Sequence, residues 1–261
     1  MTLLWILIAT GIGGLASAAI AGLFLLLNER VRAMLLPHLV SFATGALLGA
    51  SLLGLLPHAL QGVGTSRAHE IGIALVAGIG LFFVLEKLVL WRHCHVDECE
   101  THTPAVPHDH HRDKASASLV LIGDSIHNTL DGVLIAAAFL TNESLGVVTA
   151  VAVMTHEIPQ EVGDFAILLH SGMSRGRALF LNLMTSLTSC IGGVVAYFAL
   201  RQTMQYLPFA LAIAAACFIY VAVADLIPGL HRRVNPRDSV AQVVLIALGV
   251  AVIAFTEMGA H

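Results

Sequence analysis

Apolar residues fill eight long stretches of this chain, near 3–27, 34–60, 71–91, 117–140, 144–170, 177–200, 206–230 and 238–258. About 20 helical residues cross the roughly 30 Å hydrocarbon core of a bilayer, so each stretch predicts one membrane-spanning helix. The breaks between them are short and polar: Asn28-Glu29-Arg30, Gln61-Gly62, Thr141-Asn142-Glu143, Ser171-Gly172, Arg201-Gln202 and Asn235-Pro236. Only the third connection, 92–116, is long. The first run lacks a basic leader region and a small-residue cleavage site, so it reads as a retained span. The pattern predicts an all-α polytopic membrane protein: spans 1–3 in residues 1–91, a polar loop over 92–116, spans 4 and 5 in 117–170, and spans 6–8 in 177–258.

Composition narrows the class. Hydrophobic residues make up 57% of the chain and charged residues only 11%, which excludes an ordinary soluble domain. The net charge of −4 offers no basic stripe for phosphates, so nucleic acid is excluded as a partner. The lipid bilayer is the expected environment. Positive charge then orients the spans: Arg30, Arg32, Arg92, Arg112, Lys114, Arg175, Arg177, Arg232, Arg233 and Arg237 all fall in alternate connections. The opposite side holds only Arg67 and Arg201, and Lys87 lies within the third span. By the positive-inside rule both termini are expected on the outer or periplasmic side of a plasma or inner membrane.

That orientation puts the 92–116 loop in the cytosol. It contains His93, Cys94, His95, Cys99, His102, His108, His110 and His111, a donor set suited to borderline divalent metals such as Zn²⁺, although a solvated tether has the same composition. Cys190 and Cys217 stand alone in apolar runs, so no disulfide framework is expected.

Ionisable groups inside a membrane are costly and mark function. Here they cluster on two consecutive spans: Asp124, His127, Asn128 and Asp131 on the fourth, and His156, Glu157, Gln160, Glu161 and Asp164 on the fifth. His127 and Asp131 are four residues apart, as are His156 and Gln160, so each pair shares a helix face and two facing pairs supply four ligands. Asn128, Glu157 and Glu161, on adjacent faces, offer a second, oxygen-rich site. Pro159 removes a backbone donor and predicts a kink among the ligands, while Gly132 and Gly163 allow close helix approach or a bend. Asp124, Asp164, His170 and Asp225 are further pathway candidates. His58, Glu86 and Glu257 are read as side chains reaching for the membrane interfaces.

At these residues the sequence resembles the ZIP (Zrt/Irt-like) divalent-metal transporters. His127-Asn128-Thr129-Leu130-Asp131-Gly132 is similar to that family's HNxxDG segment, and HEIPQEVGDFAILLHSG from His156 to Gly172 to its HEIPHExGDFAxLLxxG segment. The resemblance implies a 3+2+3 helix arrangement with an inverted repeat, a homodimer, and uptake of Zn²⁺ or a related ion into the cytoplasm. It also implies a binuclear site, with His127, Asp131, His156 and residue 160 at the first metal, Glu157 shared or adjacent, and Asn128 and Glu161 near the second. Position 160 is Gln160 where the family segment has a second His, and the sixth span offers Asn182, Ser186, Thr188 and Cys190 but no carboxylate. Pro57-His58 and Ile227-Pro228-Gly229 occupy the second and seventh spans, as an inverted repeat would place them.

The expected activity is secondary transport, with Zn²⁺ as cargo and Fe²⁺, Mn²⁺, Cd²⁺ or Co²⁺ as alternatives. The chain has no Gly-rich phosphate loop of the G-x-x-x-x-G-K-[ST] type. The rival reading is an intramembrane metallohydrolase, because HEIPQ begins like the H-E-x-x-H zinc signature. Gln160 replaces its second His, so the chain is expected not to be an enzyme.

Overall fold

A computed structural model describes residues 1–94, 110–232 and 235–258. Its described residues form eight helical rods, labelled in chain order. They are α1 (Thr2–Phe24), α2 (Glu29–Val63), α3 (Ala68–Cys94), α4 (His110–Thr141), α5 (Glu143–His170), α6 (Arg175–Arg201), α7 (Met204–His231) and α8 (Pro236–Met258). Seven of them include stretches long and apolar enough to span a membrane. The exception is α5, which spends its middle on the polar residues that make it interesting. The 92–116 connection begins and ends as helix, since α3 runs to Cys94 and α4 starts at His110.

Local chemistry sets the ends. The Asn28 side chain caps α2 by accepting from the Val31 N–H at 2.9 Å, and Asn142 caps α5 by accepting from the Leu145 N–H at 2.7 Å. The chain leaves α5 through Gly172 at φ +84°, where Gly172 and Met173 donate back to the carbonyls of Leu169 and Leu168. A side chain would be strained in that left-handed position, which glycine adopts freely.

The helix irregularities fall elsewhere than expected. Despite Pro159, α5 is continuous from Glu143 to His170, because one lost backbone bond does not unwind a helix packed on several sides. The breaks lie in α2 and α7, each of which widens into a six-residue π-helical segment, Ala50–Leu55 and Val221–Leu226. Each segment is followed two residues later by a proline, Pro57 or Pro228. A wider turn accommodates the carbonyls that a proline leaves without a donor. The same device at the same place in the second helix of each flanking triplet is the structural trace of the inverted repeat. A third interruption, at Leu187, divides α6 into Arg175–Ser186 and Thr188–Arg201.

Burial inverts the soluble pattern. Of the membrane-length stretches of α2 and α7, 61% and 56% of residues are buried, against 11% for α3 and α8. The outer helices turn apolar side chains such as Leu81, Phe83, Val244 and Phe255 outward, where lipid covers them. The polar residues lie inside, on α4 and α5, which the two triplets α1–α3 and α6–α8 flank. Close backbone crossings hold α4 there: a Cβ on Gly192 would sit 1.9 Å from the Thr129 carbonyl oxygen, and one on Gly132 1.9 Å from that of Ser189. Gly163 makes no such approach, with nothing within 4 Å of its Cβ position.

Candidate metal site

Single-residue hinge Asn142 turns α4 directly into α5, so the two helices run antiparallel side by side. Along α4, Asp124, His127, Asn128 and Asp131 recur at the helical period, and so do His156, Glu157, Gln160, Glu161 and Asp164 along α5. The facing rows meet. His127 Nε2 lies 3.2 Å from His156 Nε2, 3.6 Å from Asp131 Oδ2 and 3.7 Å from Glu157 Oε1. His156 Nε2 lies 3.4 Å from Asp131 Oδ2 and 3.9 Å from Glu157 Oε1. Four ligand atoms at tetrahedral zinc distance from one centre would stand roughly 3.3–3.4 Å apart, close to these separations.

The surroundings orient this set. The His156 Nδ1–H donates to the Ala152 carbonyl at 3.3 Å, which leaves its Nε2 lone pair facing the cluster. Phe218 of α7 stacks edge-on against the same ring, with centroids 6.3 Å apart. His156 and Glu157 are 2% exposed, whereas the His127 side chain is 23% exposed and marks the more open side. Asp131 Oδ2 and both Glu157 carboxylate oxygens accept no hydrogen bond. Buried carboxylate oxygens without donors are costly, and a cation among them would satisfy all three.

Beside the first set lies a second. Asp124, Glu157 and Glu161 bring carboxylate oxygens within 4.8 Å of one another, so Glu157 belongs to both groups. Asn128 is fixed against Asp124 by bonds from its Nδ2 to Oδ1 at 2.8 Å and to the carbonyl at 3.1 Å. From α6, the Ser186 hydroxyl donates to Glu161 Oε1 at 2.6 Å and the Asn182 amide donates to the Glu161 carbonyl at 3.4 Å. Glu161 Oε2 and Asn182 Oδ1 are buried without a partner. No Lys or Arg lies within 4 Å of Asp124, Asp131, Glu157, Glu161 or Asp164 among the described residues. This oxygen-only set suits harder cations than the nitrogen-bearing one.

The other candidates take distinct places. Gln160 is half-buried one turn beyond His156, and among the described residues no hydrogen bond joins it to the first four; Glu157 stands at their fourth corner. Asp164 follows Glu161 along α5, and exposed His170 ends that helix with its Nδ1–H on the Ala166 carbonyl. Asp225 sits, exposed, in the π segment of α7. Glu86 is tied inward: it accepts the Tyr220 hydroxyl of α7, and so does not simply reach for the interface. His58 is likewise held, by Asn142. His95, Cys99, His102 and His108 lie outside the described residues, as do the side chains of His93, Cys94, His110, His111 and Glu257.

The membership of Asp124 in the second cluster went unassigned in the sequence, where it stood only as a pathway candidate. Its spacing, three residues before His127 and four before Asn128, was the available signal. Ser186 and Asn182 were visible as polar groups, but their contact with Glu161 is a long-range relation with no sequence period.

Comparison with known proteins settles the family. A model of the family described as ZIP zinc transporter matches residues 91–257. The chain belongs to the ZIP family. It is 33% identical over 243 residues to zinc transporter ZIP13 of Pongo abelii, covering 87% of this chain and 68% of that one. It is 30% identical over 308 residues to zinc transporter zipt-7.1 of Caenorhabditis briggsae, covering 94% and 77%. Human zinc transporter ZIP4 is 30% identical over 278 residues, covering 84% of this chain and 43% of its own. Membership makes this ZIP chain a multi-pass membrane transporter and not an enzyme. The hydrolase reading fails where the sequence departs from its signature, at Gln160.

Proposed function

We propose that this chain is a secondary transporter carrying a divalent metal ion, Zn²⁺ before Fe²⁺, Mn²⁺, Cd²⁺ or Co²⁺, into the cytoplasm. One observation carries the reading: two largely buried donor sets, one of two imidazoles and two carboxylates and one of oxygen alone, share Glu157 and lack any Lys or Arg partner among the described residues. Imidazole in the first set favours zinc and its neighbours over Mg²⁺ or Ca²⁺. The shared carboxylate supports a binuclear arrangement in which an ion passes from His127, Asp131, His156 and Glu157 to Asp124, Glu157, Glu161 and Asn128 without returning to water.

Outer termini rest on the asymmetry of Lys and Arg between alternate connections, and inward direction on the resemblance to the ZIP family. In that orientation an ion sheds water at the outer side, binds the paired sets, and leaves past Asp164 and His170 when helices shift, with Asp225 as a further pathway group. The 92–116 segment then meets arriving metal on the cytosolic side of a plasma or inner membrane, through His93, Cys94, His95, Cys99, His108, His110 and His111. A homodimer completes the proposal, on the resemblance to the ZIP family alone.

The test is flux in liposomes loaded with a zinc-sensitive dye, with orientation read from protease access to residues 92–116. Zinc entry that a His127→Ala, His156→Ala double variant abolishes supports translocation through this site. Equal background flux in both proteins would overturn it for zinc.

A further inference from the structure

The two ends of the bundle are not packed alike. At the end where α4 turns into α5, side chains from five helices, among them Leu55, Ala59, Ile71, Phe139, Leu145 and Leu211, form one continuous buried cluster. At the opposite end, where α5 finishes at His170, burial breaks into two small groups, one around Phe165 and Leu168 and one around Phe24 and Val162. Gly163 and Gly229 face open space there, and Asp225 is exposed. A large buried apolar cluster therefore fills the Asn142 end, and burial is sparser toward the His170 end.

One polar link crosses from α2 to the α4–α5 turn at the Asn142 end, among the described residues. The His58 Nδ1–H donates to the Gly54 carbonyl at 2.9 Å, inside the π segment of α2. Its Nε2 is thereby left to accept, and it takes the Asn142 Nδ2–H at 3.1 Å. The assignment is self-consistent, because Asn142 Oδ1 is already occupied by the Leu145 N–H that it caps. Asn142 therefore does two jobs at once, starting α5 and holding it to the irregular segment of α2, where a helix bends most readily.

We infer that the His58–Asn142 hydrogen bond is the clasp of a gate, holding the Asn142 end of the bundle shut while the metal sets open toward the His170 end. The inference rests on the transport reading above, since only a carrier needs that end to open. Both residues act through the packing they hold and touch no metal. For the sets to be reached from the Asn142 end, α2 must part from the α4–α5 turn, and this bond is the polar contact that parts with it. A hydrogen bond of ordinary net strength corresponds to about a two- to tenfold change in the open population.

The test uses the full chain in liposomes with a reporter cysteine at Ala59, a fully buried residue of that cluster, replacing Cys190 and Cys217 by alanine and keeping Cys94 and Cys99, which belong to the 92–116 connection at the opposite end from the reagent. A membrane-impermeant thiol reagent is applied from the Asn142 side. His58→Ala removes the acceptor. Asn142→Asp keeps the helix cap but removes the donor, so it separates loss of the clasp from loss of α5. His58→Gln retains an acceptor and serves as the conservative rescue. Expected is labelling about two- to tenfold faster in either His58→Ala or Asn142→Asp, no further gain in the double variant, and a rate near that of the parent for His58→Gln. Unchanged labelling in both single variants, or independent effects that multiply in the double, would overturn the clasp. Zinc flux measured on the same vesicles keeps the readings apart: absent flux in the parent sinks transport of zinc, whereas flux with unaltered labelling sinks only the clasp.

Discussion

The Nε2 atoms of His127 and His156 approach to 3.2 Å. With the Nδ1–H of His156 committed to the Ala152 carbonyl, one of these nitrogens faces the other with a lone pair, beside Asp131 Oδ2 and two Glu157 oxygens that lack donors. A metal ion satisfies that arrangement completely, so binding and folding are coupled. Zinc at about 100 times its dissociation constant should raise stability by about 2.7 kcal/mol, and a chelator should remove the gain. Thermal unfolding in detergent checks this, with the His127→Ala, His156→Ala variant expected to lose the shift. No response to zinc in the parent protein would contradict a preformed site.

The Ser186 hydroxyl orients one oxygen of Glu161 and leaves the other buried without a partner. Outer-shell partners of this kind typically contribute 10- to 100-fold in metal affinity. Ser186→Ala is therefore expected to weaken the second binding event by about that factor while leaving the first nearly unchanged. Calorimetric titration resolves the two steps, and equal weakening of both would show that Ser186 supports the bundle generally.

Eight rods, their polar breaks and the concentration of ligands on α4 and α5 were legible because each depends on local pattern: length, period and punctuation. The assignment of ligands to corners was harder. Four-residue spacing places His156 and Gln160 on one face, and the first cluster of His and carboxylate atoms also takes in Glu157, the immediate neighbour of His156. Adjacent residues on a helix point about 100° apart, and a site lying between those directions can be reached by a short ring from one and a longer carboxylate from the other. Pro159 lies within an uninterrupted α5, whereas π segments formed in α2 and α7, whose prolines lie just beyond each widened turn. The His58–Asn142 bond joins residues 84 apart, a distance at which no periodicity speaks.

Gly192 allows α6 to cross α4 at backbone contact, with the Thr129 oxygen where a side chain would begin. Gly192→Ala must separate the helices or distort one of them, and overpacking of this kind costs about 1–3 kcal/mol. Gly163→Ala is the matched control: with open space at its Cβ position and helical backbone on both sides, it should be neutral or stabilising by up to about 1 kcal/mol. Unfolding curves of the two variants should shift in opposite directions, and a loss of stability in Gly163→Ala as large as in Gly192→Ala would show that the crossing is not specific to Gly192.

Glu157 and Gln160 offer the sharpest distinction between geometry and motif. Glu157 contributes to both donor sets, with both oxygens buried and unpaired, whereas Gln160 stands a turn away without a bond to either set among the described residues. Glu157→Gln keeps the shape but removes the charge, and it should weaken both binding events, each by on the order of tenfold or more, because a charged ligand gives the stronger interaction. Gln160→Ala should leave the first event within about threefold of the parent, roughly the loss of half a kcal/mol. Calorimetry on the two variants decides between them: a first event lost in Gln160→Ala and kept in Glu157→Gln would return the fourth corner of the first set to position 160.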